Sequence, residues 1–238
     1  MEVETTIPRA QLNRVIKIAP SILGGDQANL AAALDIAVKG GAEQVHLDVI
    51  DGHFAPNITF GPGTVKALRG KCDLKFDTHL MIDQPSAFVD KFMDAGSDLL
   101  ILHAEVLSGA SFDELYPRIH SRGKEVGLAI KPSTSLPVWA TERLEKLSEL
   151  VLMTVNPGFS GQTMDMSVMP KLEAIRAEID DRRLDTDLEI DGGVETDNVQ
   201  EVVKRGGNVL VAGAGVYAKR DPVAAIERLR ERAEGAVM

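Results

Sequence analysis

The run QVHLDVI, residues 44–50, sets His46 and Asp48 two apart among apolar, largely β-branched neighbours. Side chains two apart on a strand leave the same face, so an imidazole and a carboxylate share one side of an otherwise hydrophobic segment. His79 closes a similar run, LKFDTHL (74–80), and Asp191 closes DLEID (187–191). Two imidazoles and two carboxylates at three strand ends can hold a shared metal ion or act as acid–base groups. A lone histidine at a strand end is commonly a satisfied core residue; here the company of the other three points to chemistry. Ser21 closes a first apolar run, and Asn156 and Lys131 follow later ones. His103 and Glu105 follow a fourth run and suit either rim support or substrate contact. Asp51 and His53, in DGHF, read as a turn, and His120 as a helix surface residue. Met81 and Met153 lie at strand ends, where they either fill core or roof a site.

These residues need a frame that brings strand ends together. Strands are expected at 16–22, 44–49, 74–80, 98–102, 125–130, 149–155, 187–191 and 208–212. Helical stretches fall between them, near 27–38, 62–69, 85–94, 111–121, 136–146, 167–180, 196–205 and 222–234. Strong helix formers dominate the clearest, such as PKLEAIRAEIDDRR, and glycine pairs mark strand entrances in KGGAEQ and KRGGNV. Eight strand–helix pairs in series, joined by right-handed crossovers, close into a (β/α)8 TIM barrel. An open doubly wound sheet is the rival, but no glycine-rich dinucleotide fingerprint follows the first strand. The barrel, a single domain, is expected over 15–238, preceded by a polar N-terminal arm over 1–14. In a barrel the chemistry sits at the carboxyl ends of the strands, where all of these polar residues lie. Strand 7 stands across from strand 2, which lets Asp48 and Asp191 face each other over a small molecule.

The 238 residues are 44% hydrophobic and 26% charged, ample for a globular core. Twenty-six basic against 36 acidic side chains leave a net charge of −10, which argues against a nucleic-acid or anionic-membrane partner. The single Cys72 excludes an intrachain disulfide and suits a reducing, cytoplasmic setting. No apolar run approaches membrane-spanning length, so no membrane is expected as a partner. An anionic ligand must then be held by local dipoles. The later loops supply them: NPGFSGQ (156–162), DGG (191–193) and AGAG (212–215) are rich in glycine. Such loops let backbone N–H groups approach a phosphate closely, at the place where barrels often bind one.

Taken in order, APSIL (19–23), HLDVIDGHFAPNITFGP (46–62), THLMI (78–82), MTVNPGFSGQ (153–162), DGGV (191–194) and VAGAGVY (211–217) resemble the ribulose-phosphate 3-epimerase family. The likeness runs from Pro20 to Tyr217. It implies a (β/α)8 barrel that inverts C3 of a ketopentose 5-phosphate with a bound divalent metal. By the same resemblance His46, Asp48, His79 and Asp191 are the metal ligands, and Asp48 and Asp191 also form the acid–base pair. Ser21 and His79 would contact the sugar. Gly158, Phe159, Ser160, Gly161, Gly192, Gly193, Gly213 and Ala214 would line the phosphate end. The sequence departs from the family pattern at Ile50 (commonly Met), in SILGGDQANL, at Lys131 (commonly Asn), at Ser160 (commonly Gly) and at Ala214 (often Ser). These departures bear on which sugar is taken and spare every ligand and acid–base group.

Inverting a carbon beside a ketone means taking its proton from one face and delivering one to the other. A single base tends to return the proton to the face it came from, whereas two carboxyls on opposite walls, one ionised and one protonated, do both steps. A divalent cation stabilises the enediolate charge. Imidazole plus carboxylate donors suit Zn²⁺, Fe²⁺, Mn²⁺ or Co²⁺ better than Mg²⁺ or Ca²⁺. The substrate that the resemblance implies is a small ketose phosphate, ribulose 5-phosphate first; a ketohexose or ketotetrose phosphate such as allulose 6-phosphate is the alternative. A phosphate-binding barrel decarboxylase or aldolase would place Lys with Asp at strand ends, where this chain has His. A barrel kept only for sugar-phosphate sensing or scaffolding has no need of both aspartates. The outer helices suit a homo-oligomer.

Overall fold

The computed structural model describes residues 14–237, so the expected arm over 1–14 lies outside them apart from Arg14. Eight strands alternate with helices along the chain. The strands are β1 (Lys17–Pro20), β2 (Gln44–Ile50), β3 (Lys75–Met81), β4 (Leu99–His103), β5 (Glu125–Ile130), β6 (Glu149–Met153), β7 (Asp187–Asp191) and β8 (Val209–Ala212). The helices are α1 (Leu30–Lys39), α2 (Pro62–Arg69), α3 (Val89–Ala95), α4 (Gly109–His120), α5 (Val138–Thr141), α6 (Met169–Asp181), α7 (Val199–Lys204), α8 (Ala214–Tyr217) and α9 (Pro222–Glu234). All strand pairs are parallel, in the order β1–β8–β7–β6–β5–β4–β3–β2. A bridge between Ser21 and His46, and the Glu43 amide donating to the Ile18 carbonyl at 3.3 Å, close the ring between β1 and β2. This is the (β/α)8 barrel expected from the sequence.

Alternation along each strand builds two cores. Val45, Leu47 and Val49 of β2, Leu100 and Leu102 of β4, and Leu150 and Leu152 of β6 face outward and pack under the helices. Burying such a side chain contributes roughly 1.5–3 kcal/mol, which is why strands covered on both faces read as near-continuous apolar runs. Inside the ring, Leu99, Ile101, Ala129 and Val151 form one apolar patch and Ala19, Val209 and Val211 another. Most of the remaining inward positions, on β2, β3 and β7, are polar, apart from Ile50 and Met81 at the rim, and that half of the barrel holds the candidate site.

The helices begin and end on local signals. Asn29 accepts from the Ala32 amide to cap α1, Ser108 and Ser111 form a capping box on α4, and Asp221 with Pro222 opens α9. Gly96 ends α3 at φ +107°, a backbone conformation that other residues reach only with strain. Two stretches expected to be single helices are divided. Residues 136–146 form α5 and a 3-10 turn, Leu144–Lys146, with Arg143 leaving helical geometry at φ −120°, ψ 10° between them. Propensity does not explain the break, since the strong helix formers Glu142, Arg143, Leu144, Glu145 and Lys146 follow the weaker Val138, Trp139 and Thr141. Instead the Trp139 carbonyl accepts from Arg143 Nη1 at 2.8 Å, and the Arg143 amide turns to Ala140. Residues 85–94 likewise become a 3-10 turn, Pro85–Ala87, followed by α3. β1 stops at Pro20 and β6 at Met153, each two residues before its expected end. Among the described residues no helix is long and apolar enough to cross a membrane.

Candidate active site

Register decides which side chains meet. β2 pairs with β3 so that His46 lies level with Asp77, and Asp48 with His79. Asp191, at the end of β7, pairs with Met153 on one side and Val211 on the other. All four residues expected to bind metal are buried, and they converge. His46 Nε2 lies 3.2 Å from His79 Nδ1, 3.4 Å from Asp48 Oδ1 and 3.9 Å from Asp191 Oδ2. His79 Nδ1 lies 4.0 Å from Asp48 Oδ1 and 3.5 Å from Asp191 Oδ2. Every pair among the four donor atoms is within 4.8 Å.

This donor set fits a divalent transition-metal ion. Bonds of about 2.0–2.2 Å to a tetrahedral centre imply donor–donor edges of roughly 3.4 Å, and the five distances just given run from 3.2 to 4.0 Å. The chemistry of the donors agrees. Asp77 Oδ2 sits 2.7 Å from His46 Nδ1 and can only accept, so the ring carries hydrogen there, and its Nε2 side turns toward Asp48 and Asp191. Electrostatics point the same way. Burial disfavours a charged His46, yet the carboxylates of Asp77 and Asp48 raise its pKa well above the ordinary imidazole value. The surplus of negative charge that draws a proton onto His46 is what a divalent cation at this point neutralises. Asp48 shows the reciprocal effect: burial would raise its carboxyl, but His46, His79 and a hydrogen bond from Ser21 Oγ hold it below the usual aspartate range.

Above these residues opens a cleft at the carboxyl ends of the strands. Its space, open mouth included, is about 650 Å³, within the range of small-molecule sites. Asp48 and Asp191 line its floor beside Ser21, and Ile50, Met81 and Met153 form an apolar wall. Both methionines thus serve as filler and as lining. The opposite end is glycine-rich, built from Gly158, Phe159, Ser160 and Gly161 after β6, Gly192 and Gly193 after β7, and Gly213 and Ala214 after β8. Gly193 adopts φ +65°, and a Cβ on it would lie 2.5 Å from the Met164 amide nitrogen, so no other residue fits there without displacing the β6 loop. Asn57 Nδ2 donates to the Gly158 carbonyl at 2.7 Å and steadies that loop. The unusual stretch after β1 bears on the same end, since a Cβ on Gly24 would sit 2.6 Å from the Gly213 carbonyl carbon.

His46 and His79 are fully buried and stand behind the two aspartates, outside the cleft lining. Asp51 is a turn residue as expected: its carboxylate accepts from the amides of His53, Phe54 and Asp83. His120 is an exposed residue of α4 stacked on Tyr116. His103 and Glu105 lie behind His79 rather than in the cleft.

A layer of buried polar groups beneath the site escaped the sequence reading. Asp77, Glu149 and Glu189 are each 0% exposed and surround the Gln44 amide. Burial and the Asp77 charge push the Glu189 carboxyl well above the usual glutamate range. The signal was present in the alternation: Asp77 precedes His79 by two residues, and Glu189 precedes Asp191 by two.

Comparison with known proteins accords with this geometry. The profile of the ribulose-phosphate 3 epimerase family matches residues 17–217. Ribulose-phosphate 3-epimerase of Bacillus subtilis (strain 168) is 41% identical over 218 residues, covering 91% of this chain and 99% of that protein. The Schizosaccharomyces pombe ribulose-phosphate 3-epimerase is 38% identical, covering 90% and 92%. Among solved structures, orotidine 5'-monophosphate decarboxylase from Sulfolobus solfataricus superposes with a TM-score of 0.65 at 12% identity, over 94% of this chain and all of that one. The 3-hexulose-6-phosphate synthase from Salmonella typhimurium gives 0.64 at 16%, over 92% and 98%; likenesses at this identity speak to the barrel alone. The sequence relatives carry the matter further, for at such identity over nearly full length the chain belongs to the ribulose-phosphate 3-epimerase family.

Proposed function

We propose that this protein is a metal-dependent epimerase that inverts C3 of D-ribulose 5-phosphate to give D-xylulose 5-phosphate. The observation that carries the reading is the pair Asp48 and Asp191. They reach the same cleft floor from β2 and β7, on either side of the two imidazoles. One of them, ionised, removes the C3 proton; the other, protonated, delivers a proton from the opposite side, and the roles exchange in the reverse direction. Ser21 donates to Asp48 and sets the direction of its free oxygen. The backbone carbonyl of Asp191 is anchored by the Thr154 amide at 2.8 Å and the Thr154 hydroxyl at 3.1 Å. Ile50, Met81 and Met153 keep water from the reacting carbon.

His46, Asp48, His79 and Asp191 would hold one divalent ion, Zn²⁺, Fe²⁺, Mn²⁺ or Co²⁺. When bound, that ion supplies Lewis-acid stabilisation of the negative charge developing on the substrate oxygens. Ser21, which lines the cleft, is assigned to the sugar; the sugar contact expected of His79 has no support from its position, fully buried and outside the lining. Gly158, Phe159, Ser160, Gly161, Gly192, Gly193, Gly213 and Ala214 are assigned to the phosphate, which backbone amides can bind without a net positive charge on the chain. The lone Cys72 supports a cytoplasmic setting.

The test is solvent deuterium incorporation at C3, followed with product identity by NMR, for a panel of ketose phosphates with and without a chelator. The expected result is label in both ribulose 5-phosphate and xylulose 5-phosphate, lost on chelation and restored by metal. Metal-loaded protein that leaves ribulose 5-phosphate untouched while inverting another ketose phosphate would overturn the substrate assignment.

A further inference from the structure

Behind His79 runs a chain of contacts that the reaction itself does not use. His79 Nε2 lies 2.9 Å from His103 Nε2, with the two ring planes within 16° of each other. His103 Nδ1 lies 2.8 Å from Glu105 Oε2, and Glu105 Oε1 accepts from the Lys131 amide at 2.7 Å. The far face of the His103 ring is covered by Phe54, at 4.4 Å between centroids, and the Lys131 ammonium sits 3.8 Å over Phe54. Both imidazoles are 0% exposed.

Hydrogen counting along this chain leaves one arrangement. Burial alone would raise the Glu105 carboxyl, but hydrogen bonds from His103, Thr134 and the Lys131 amide bring it down to about 2; it is ionised and can only accept. The hydrogen on His103 therefore sits on Nδ1. Between the two facing Nε2 atoms there is room for a single hydrogen. Were it on His103, that ring would be a buried cation close to the Lys131 ammonium, and His79 would turn an N–H into the cluster of Asp48, Asp191 and His46. With the hydrogen on His79 Nε2, His103 stays neutral, and His79 Nδ1 presents a bare lone pair among the other three donors.

We propose that Glu105 and His103 are positioning residues: through this hydrogen-bonded chain they hold His79 with its proton on Nε2 and its Nδ1 free to bind the cation. The proposal rests on the reading that His46, Asp48, His79 and Asp191 hold a divalent ion. Phe54 and Lys131 complete the arrangement, the first by packing against the His103 ring, the second by fixing Glu105 through its amide. His46 receives the same service directly from Asp77, so each imidazole of the site would have its own carboxylate, one of them acting through an intervening ring.

The test compares His103→Leu, His103→Gln and Glu105→Ala with the natural protein. The readouts are Zn²⁺ affinity by competition with a fluorescent chelator, the visible spectrum of the Co²⁺ form, and melting of the metal-free protein. His103→Leu leaves the His79 Nε2–H without an acceptor and should weaken Zn²⁺ binding by about 10–100-fold. His103→Gln, whose side-chain oxygen can accept from His79, should recover most of that loss, with a Co²⁺ spectrum like the natural one. Glu105→Ala, changed at the outer end of the chain, should fall between them and carries the test if His103→Leu does not fold. His103→Leu or Glu105→Ala binding Zn²⁺ within about twofold of the natural protein, set against the 10–100-fold expectation, overturns the proposal. So does an equal loss in His103→Gln and His103→Leu. A natural protein that binds no divalent ion overturns the cation reading, and this proposal with it.

Discussion

Replacing Asp77 by Asn should separate the stability of the barrel from the quality of its cation site. Asp77 is fully buried. Its Oδ2 accepts from His46 Nδ1 at 2.7 Å and Gln44 Nε2 at 3.3 Å, while its Oδ1 has no hydrogen-bond partner, as is true of Glu189 Oε1 nearby. A buried polar atom left unpaired costs about 1–3 kcal/mol. Asn keeps an oxygen for His46 and puts an NH₂ where the unpaired oxygen stood, next to the unpaired glutamate. It also removes the charge that helps push Glu189 up. At a pH high enough to leave His46 neutral, the metal-free protein should therefore hold its stability or gain up to about 1–3 kcal/mol; at lower pH the loss of the Asp77 charge that favours a proton on His46 works against this gain. For a chain of this size the full gain is a rise in Tm of up to roughly 10 °C, at about 2–4 °C per kcal/mol. The cation site should respond oppositely. A neutral amide is a weaker acceptor for His46 Nδ1–H than a carboxylate, so the ring is a poorer donor to metal, and affinity should fall about 10–100-fold. Calorimetric melting of chelator-treated protein and Zn²⁺ competition titration measure the two effects on one sample. A metal-free Tm lowered by several degrees would mean that Asp77 is needed for the fold as an anion. Unchanged Zn²⁺ affinity would mean that its bond to His46 does nothing for the site.

Asp48→Asn and Asp191→Asn should each slow inversion by at least about 10²–10⁴-fold, yet each should still exchange the C3 hydrogen of one epimer with solvent, the two variants on opposite epimers. Deuterium NMR on variants with measured metal content checks this, and either variant labelling both epimers would refute the two-acid scheme. Gly193→Ala forces a left-handed conformation, about 1–2 kcal/mol, and a Cβ 2.5 Å from the Met164 nitrogen. It should raise KM for the phosphorylated substrate and lower Tm together, and an unaltered KM would remove Gly193 from the phosphate end. Glu105 has a folded pKa of about 2 against a usual 4.5. Its contribution to stability is present above pH 4.5 and is lost as pH falls toward 2. Glu105→Gln should therefore flatten the decline of Tm across that interval, and parallel declines for the two proteins would show that its low pKa plays no part in folding.

Much of the frame was readable because each strand announces itself by β-branched runs between glycine-marked turns, and strand order then brings Ser21, His46, Asp48, His79 and Asp191 to one rim. The interior below that rim was less readable. Period two marks Gln44, Asp77 and Glu189 as inward-facing, but whether an inward position is wet, apolar or acidic depends on what the other strands bring to the same level. β4 brings Ile101 and β6 brings Val151, so half of the barrel is dry, and the acidic residues crowd into the other half. The partnership of His79 with His103 depends on the register between β3 and β4, where His79 pairs with Ile101 and His103 lies two residues further on. No spacing within either strand encodes that contact. The helix over 136–146 is broken by a contact that propensity does not encode, the Arg143 side chain reaching the Trp139 carbonyl and Asp113 of α4.

The arrangement of charge inside the ring also supports the proposed orientation of an anionic substrate. Carboxylates line β2, β3, β6 and β7 from the rim downward: Asp48 and Asp191 at the cleft, Asp77 and Glu189 below, and Glu149 at the base, where Lys75 reaches it at 2.8 Å. Lys75 compensates the base, burial and the Asp77 charge push the Glu189 carboxyl upward in the middle, His46 faces Asp77, and the rim pair is left to be met by a cation. A phosphate dianion brought against Asp48 and Asp191 would meet like charge in a setting walled by Ile50, Met81 and Met153, where repulsion is poorly screened. The far end offers a run of glycine amides, and the carboxylate on its loops that lines the cleft, Glu195, is paired with Lys219 at 2.6 Å. In the proposed reading, exclusion of the phosphate from Asp48 and Asp191 turns the reacting carbons of a bound ketose phosphate toward these aspartates, so the rim carboxylates orient the substrate as well as act on it.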